Sequence, residues 1–307
     1  MASSGYLDLD NQLLSRRTFL TGAFFGAGSL ALYAGGFERH WIEIVRRDIY
    51  IGGLPDNLDG VTVAQLSDIH LNEFTEPFLL REAVDHINRL RPDMVLLTGD
   101  YVSSEILPRK LTTEAAWQCG RLLNRLECPH RYAIFGNHDI WAGEEHVGEA
   151  LRLNGITVLR NACLPVERNG GRLWLAGIDD PVCGRPDPDA AIPASIRNLT
   201  AEPVVLMCHS PDYVDDLRMH PAGRAVSLVL SGHTHGGQVR LPFTPPLYLP
   251  PGGRRYIEGL FQFGSTQLYV NRGIGSVGLP IRFNCRPEIT LLTLRQGHDL
   301  LPISAAS

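Results

Sequence analysis

Asp68-Ile69-His70, Gly99-Asp100, Gly136-Asn137-His138-Asp139, His209 and Gly232-His233-Thr234-His235 are five short clusters of metal-binding residue types, each placed just past an apolar run. The runs are Val61–Leu66, Met94–Thr98, Tyr132–Phe135, Val204–Cys208 and Val226–Leu230. Rich in Val, Leu and Ile and too short for ordinary helices, they read as buried strands. Strands lying side by side in one sheet open their C-terminal ends onto a common crevice, the place where α/β sheets hold ligands. In extended chain, residues i and i+2 project to the same side. Asp68 with His70, and His233 with His235, would then each grip one ion or two neighbouring ions. Gly99, Gly136 and Gly232 stand where a strand must turn sharply and backbone must come close to whatever is bound.

The candidate ligands are Asp68, His70, Asp100, Asn137, His209, His233 and His235, with no Cys in any cluster. Imidazole mixed with oxygen suits Mn, Fe, Zn or Mg and argues against a closed thiolate zinc site. So many ligands exceed what one tetrahedral ion takes but suit two ions about 3.5 to 4 Å apart that share a carboxylate. Asp100 is the natural bridge. His40, His86, His130, His146, His220 and His298 fall outside the clusters and read as surface or packing histidines.

In order and in full, the clusters resemble the Asp-x-His, Gly-Asp, Gly-Asn-His-Asp, His, Gly-His-x-His pattern of the calcineurin-like metallophosphoesterase superfamily. The resemblance implies one metal on Asp68, His70, Asp100 and His235, and a second on Asp100, Asn137, His209 and His233. It makes His138 the catalytic histidine that binds neither ion, oriented by Asp139. It also implies a four-layer α/β fold, two mixed sheets packed face to face and flanked by helices. Sibling branches fit less well. Protein Ser/Thr phosphatases carry Gly-Asp-x-x-Asp-Arg and a Glu after Asn-His, where this chain has Ser103, Ser104 and Asp139; purple acid phosphatases place a metal-binding Tyr where Ser103 stands. Ser231–Pro242, Gly177-Ile-Asp-Asp-Pro181, His209-Ser-Pro-Asp212 and Cys285-Arg-Pro-Glu288 are similar to the bacterial YkuE/YaeI-like phosphodiesterases over nearly the whole chain.

Two metals would lower the pKa of a bridging water and neutralise phosphoryl oxygens as the resulting hydroxide attacks in line. His138 would protonate the departing oxygen or stabilise the transition state, a role worth about 10² to 10⁴ in rate. Asp139 would hold its tautomer. The expected cofactor is a pair of divalent ions, manganese favoured, and the expected substrate a phosphodiester, envelope-borne or lipid-linked as in relatives of this kind. A non-catalytic binding module of the same fold and a nuclease are the alternatives. No ligand is missing, which opposes the first. A net charge of −5 lacks the basic surplus of a general nucleic-acid binder, which opposes the second.

The elements that must position these residues are legible in part. With 307 residues and 44% hydrophobic composition, the chain can build one large domain, expected at 38–307. Residues 1–37 stand apart: Ser15-Arg16-Arg17-Thr18-Phe19-Leu20 leads into an uncharged stretch of 19 residues, Phe19 to Phe37, like a twin-arginine export signal. The expected partner is therefore the twin-arginine machinery and the expected location the far side of the cytoplasmic membrane. The stretch is long enough to span a bilayer, so cleavage and retention as an anchor are both open. Folding before export, in a reducing compartment, predicts free and mostly buried cysteines, with Cys119–Cys128 or Cys163–Cys183 as the exceptions considered. Strands are expected at Ile42–Ile51, Leu173–Ala176, Gln267–Val270 and Ile289–Leu294. Helices are expected from a Thr75 cap to Pro92, over about Glu114–Leu126, and over Glu144–Asn154 with Gly155 as the stop. The Pro242–Arg255 stretch, stiffened by proline, reads as a rigid loop or a contact for substrate or membrane.

Overall fold

The computed structural model describes residues 16–71, 75–103, 109–168, 170–198 and 202–297. His298, Ser104 and residues 1–15, all weighed above, lie outside them. In chain order the elements are α1 (Arg16–Leu32), β1 (Glu43–Gly52), β2 (Thr62–Leu66), α2 (Pro77–Leu90), β3 (Met94–Leu97), α3 (Arg109–Leu123), β4 (Arg131–Ala133) and α4 (Asn137–Leu153). There follow β5 (Thr157–Val158), β6 (Ala162–Arg168), β7 (Gly171–Gly177), α5 (Pro188–Ala191), α6 (Ala194–Arg197), β8 (Val204–Met207), α7 (Val214–Met219), β9 (Val226–Ser231), β10 (Gly259–Phe263), β11 (Thr266–Val270) and β12 (Glu288–Gly297).

These strands form two six-stranded sheets, ordered β1-β12-β2-β3-β4-β5 and β10-β11-β9-β8-β7-β6, each mixing parallel and antiparallel pairs. Period-two alternation explains the layering, because successive side chains leave opposite faces of a strand. Val63 and Leu96 enter the core between the sheets, together with Val205, Met207, Leu228 and Leu230. Their neighbours Ala64, Leu66, Val95 and Leu97 face away, under α2, α3 and α4. On the far side Val204, Leu206 and Val229 pack with Val214 and Leu217 of α7. Both faces are covered, so both registers are apolar and the strands read as continuous runs. The result is the four-layer α/β sandwich.

The strand-rich stretch from Leu173 onward forms a second sheet, so the single shared sheet considered for the ligand-bearing strands gives way to two. The five ligand-bearing strands do not share a sheet: β2, β3 and β4 belong to one, β8 and β9 to the other. Gln65, buried in β2, ties the two together, donating to Thr98 Oγ1 (3.1 Å) and to the Ser231 carbonyl of β9 (2.9 Å). Helix boundaries differ as well. Glu76 rather than Thr75 is the N-cap of α2, and α4 begins at Asn137, seven residues before the expected Glu144. Gly143, at φ 109°, breaks α4 and hides its first turn from the apolar periodicity that marks the rest. All six cysteines are free, Cys163 and Cys183 half-buried and the others buried, so neither candidate bridge forms.

Before β1 the chain is helical over Leu20–His40, the one stretch among the described residues long and apolar enough to cross a membrane. Leu20, Phe24, Phe25, Leu30 and Leu32 are exposed. Ala34 and Glu38, in contrast, are buried.

Candidate metal centre

Each cluster occupies the turn that follows a strand, and the turns are locked to one another before any side chain is counted. The N–H of Asp68 donates to Gly99 O (3.0 Å), and those of Ile69 and His70 both donate to Asp100 O (2.7 and 3.1 Å). Cα hydrogens are all the room allows at the glycines. A Cβ on Gly99 would lie 2.6 Å from Gly136 N, one on Gly136 would overlap the Asp100 carboxylate, and one on Gly232 would overlap Ser67 and Asp68.

Asp68, His70, Asp100, His233 and His235 all carry positive φ, at 50°, 47°, 59°, 73° and 50°. None is in the extended conformation that the i, i+2 argument required. Left-handed backbone at a non-glycine residue costs about 1–3 kcal/mol and persists where the surroundings fix it. Here the fixing groups are visible: the Asp68 carboxylate accepts the His233 N–H (3.0 Å to each oxygen), and Asp100 Oδ1 accepts the His138 N–H (3.0 Å).

The side chains converge. Asp68, His70 and His235 can present ligand atoms within 4.8 Å of one another, as can Asp100, His209 and His233. His70 Nε2 lies 3.6 Å and His209 Nε2 3.1 Å from Asp100 Oδ2, which joins the two groups. His233 and His235 therefore serve different groups, the division that the family resemblance implies. His70, Asp100 and His138 form a third close set.

Hydrogen bonds on the outer ring atoms show which nitrogens face inward. His209 Nδ1 lies 2.7 Å from Thr98 O and His233 Nε2 lies 2.8 Å from Pro251 O. A carbonyl only accepts, so those nitrogens carry the hydrogen and the opposite ones offer lone pairs to the site. Among the described residues Asn137 Oδ1 is buried without a hydrogen-bond partner, and His209 Nε2 faces only the Asp100 carboxylate. Buried polar atoms without partners are costly, and a divalent ion satisfies such a donor set.

Electrostatics agree with that fit. Burial pushes His70 well down, with His138 adding to it, and takes His235 down to about 4 against the pull of Asp68. Burial also lowers His233. His209 moves up, because Asp100 outweighs its burial, and Asp100 is held well below the usual carboxylate range by His209 and His138 despite its own burial. A proton or a metal ion between His209 and Asp100 meets the same need, and binding a metal there releases the proton.

Asp139 departs from expectation. Its carboxylate accepts the N–H groups of Asp100 (2.7 Å), Tyr101 (2.8 Å) and Gly136 (2.9 Å), and none of its hydrogen bonds goes to His138. Burial, reinforced by Asp100, pushes it up to about 8. It fastens two loops together. The His138 ring is held instead by edge contacts with His70 (4.8 Å between centroids) and Trp141 (5.1 Å).

Several contributors were not picked as site residues, although Ser103 and Asp212 stand in stretches that carry the family resemblance. Ser103 Oγ sits 2.6 Å from His70 Nδ1. Arg282 is wholly buried, donating to the carbonyls of Gly275, Arg272 and Gly273 (3.0, 2.9 and 3.2 Å) beside His235. Asp212 accepts from the N–H of Arg254 (2.8 Å) and Arg255 (3.0 Å), which fixes the loop carrying Pro251. A lone Ser, Arg or Asp on a loop is invisible until the loop is placed. The cluster opens into a cavity of about 470 Å³, lined by Asn137, His138 and His233 at its base and by Trp141, Leu247, Tyr248, Val277 and Leu279 on its walls.

Residues 61–237 match the calcineurin-like phosphoesterase family. The chain is 36% identical over 295 residues to an uncharacterised metallophosphoesterase, YkuE, of Bacillus subtilis, covering 93% of this chain and 99% of that one. It is 35% identical over 288 residues to the phosphodiesterase YaeI of Escherichia coli, covering 92% and 100%. A solved dimetal phosphatase from Danio rerio aligns at a TM-score of 0.47 and 14% identity over 76% of this chain and 99% of that chain. The chain belongs to the calcineurin-like phosphoesterase family.

Proposed function

We propose that the protein is a phosphodiesterase that works with two divalent ions, one held by Asp68, His70, Asp100 and His235 and the other by Asp100, Asn137, His209 and His233. The observation that carries this reading is the convergence of buried ligand atoms on both sides of Asp100. When bound, such ions supply Lewis-acid charge to phosphoryl oxygens and lower the pKa of a coordinated water. The chain supplies the rest. Left-handed turns hold the ligands without rearrangement, and His138, at the cavity wall, donates a proton to the departing oxygen. Asp139 acts through backbone, keeping the Asp100 turn and the start of α4 in register.

Among the described residues the cavity walls carry no Lys or Arg and are rich in apolar side chains, which favours a phosphodiester with an apolar portion, envelope-borne or lipid-linked, over a polynucleotide. Manganese is the favoured metal, on the mixed imidazole and oxygen donor set. The paired Arg16 and Arg17 before an apolar helix support export by the twin-arginine route.

Protein stripped with a chelator should lose hydrolysis of bis-p-nitrophenyl phosphate, and Mn²⁺ should restore it. Full turnover by metal-free protein would sink the reading. A panel pairing water-soluble diesters with lipid-linked ones then tests the substrate class, and equal rates on all of them would remove the argument from the apolar walls.

A further inference from the structure

Tyr33–Trp41 is packed against the domain. Arg282 N–H donates to Ala34 O (3.0 Å) and Cys285 N–H to Glu38 Oε1 (2.6 Å). The Tyr33 ring stands edge-on to Phe283 at 6.5 Å, and the Arg286 guanidinium lies 3.7 Å over Trp41. Gly35 abuts Pro280 and Ile281. The C-terminal end of α1 is thereby fixed to the segment 280–286.

That segment continues the wall of the metal cavity, since Val277, Gly278 and Leu279 line it. It is also joined to the next strip of wall: Phe283 N–H donates to Gln238 O (3.0 Å) and Arg240 N–H to Phe283 O (2.9 Å). From there the chain runs into Leu241, Phe243, Leu247 and Tyr248, all exposed, as is Leu279. Phe243 is wholly exposed and held at φ 63°, an unfavourable angle for a bulky residue that presents its ring outward. Exposed apolar groups gathered in one place mark a contact surface.

We propose that α1 is embedded in a bilayer in the working protein and that the cavity rim, Leu241, Phe243, Leu247, Tyr248 and Leu279, rests on that same bilayer, so the cavity opens at the lipid–water boundary. The partner is the lipid surface itself. Leu20–His40 is long and apolar enough to cross a bilayer, and the part left free of the domain, from Leu20 to the exit, is about 20–27 Å as helix, short of a full hydrocarbon core of about 30 Å and deep enough to embed most of it. The last third of Leu20–His40 packs on the domain, which places the point of exit near Leu32–Phe37. Because 280–283 touches Tyr33 and Gly35, the rim lies at the level of that exit. Tyr33, Phe37, Trp41, Phe243 and Tyr248 then form an aromatic group at the interface, where such rings concentrate.

The test uses the full chain in phospholipid vesicles, in a Cys163→Ser/Cys183→Ser background that removes the two half-buried thiols. An environment-sensitive fluorophore is attached at Phe243→Cys, at Leu30→Cys in α1, or at Leu153→Cys. Leu153 ends α4, about 20 Å along the helix from the metal site. Labels at 30 and 243 should shift to the blue and lose most of their intensity to spin-labelled acyl chains, while the label at 153 should do neither. An aqueous label at 243 beside a quenched label at 30 overturns the seating of the rim, and an unquenched label at 30 overturns the embedding of α1. Equal quenching at 243 and 153 overturns the orientation. Matching melting curves for the three proteins show that each is folded. The readout involves no catalysis, so it stands or falls apart from the phosphodiesterase reading.

Discussion

His138 sits among metal-facing groups yet differs from them in what it can be spared for. Asp100 stands within reach of His70 on one side and His209 on the other, so removing its carboxylate strips an oxygen from both ion groups at once. His138 also lies close to His70 and Asp100, but its Nδ1 has no partner and its ring borders the cavity. We expect His138→Ala to lower turnover by about 10² to 10⁴ while leaving metal content nearly intact, and Asp100→Ala to lose both. The His138→Ala loss should shrink for a substrate whose leaving group is a weak base, which needs little protonation as it departs. Elemental analysis decides between the roles: a His138→Ala protein empty of metal beside a fully loaded Asp100→Ala protein would reverse them. At this scale the sequence showed which residues converge but not how. Asp68, His70, His233 and His235 could be picked by type and position, whereas their left-handed angles could not, because positive φ stays uncommon even for Asp and His, the types enriched there. The family resemblance did assign His233 and His235 to different ion groups, but residue type did not show that Asp139 holds backbone rather than His138.

Among the elements, α4 carries the most consequence for the site, since Asn137, His138 and Asp139 form its first turn. Its apolar periodicity begins only after Gly143, so the helix was legible from Glu144 onward and its functional end was not. The strands were easier. Short Val- and Leu-rich runs marked β2, β3, β8 and β9 within a residue or two, because burial on both faces makes every position apolar. The shift from helix–strand alternation to successive strands beyond Leu173 marked the second sheet, to which β8 and β9 belong. Strands β6 and β10, with half-exposed faces and mixed residues, passed unseen. The kink gives a direct test. At φ 109° and ψ 86°, Gly143 occupies backbone space that an L side chain enters only at a cost of about 1–3 kcal/mol. Gly143→Ala should therefore lower the melting temperature by a few degrees. An unchanged melting curve would mean that the first turn and the rest of α4 can join as one straight helix, and the kink would not be part of how the site is held.

For the whole molecule, the metal centre exists only when both sheets are closed on each other. Asp68, Asp100 and Asn137 come from one sheet and His209 and His233 from the other, and Gln65 bonds across between them. Metal affinity is then available only to the folded domain. Under the proposed export the ions would be loaded before the protein leaves the cytoplasm, and six free cysteines are compatible with folding there, since no disulfide has to wait for an oxidising compartment. The twin-arginine route, which carries folded proteins, is the one proposed above on the Arg16-Arg17 pair that opens α1. Replacing both with Lys keeps the positive charge at the start of the helix and removes only the guanidinium pair, so it separates this route from one that reads charge alone. We expect the Arg16→Lys/Arg17→Lys protein to remain in the cytoplasm, folded and metal-loaded, when cells are fractionated and the soluble pool is assayed with bis-p-nitrophenyl phosphate. If the doubly substituted protein still reaches the far side of the membrane in full amount, the arginine pair is not the signal, and α1 enters the bilayer by another path.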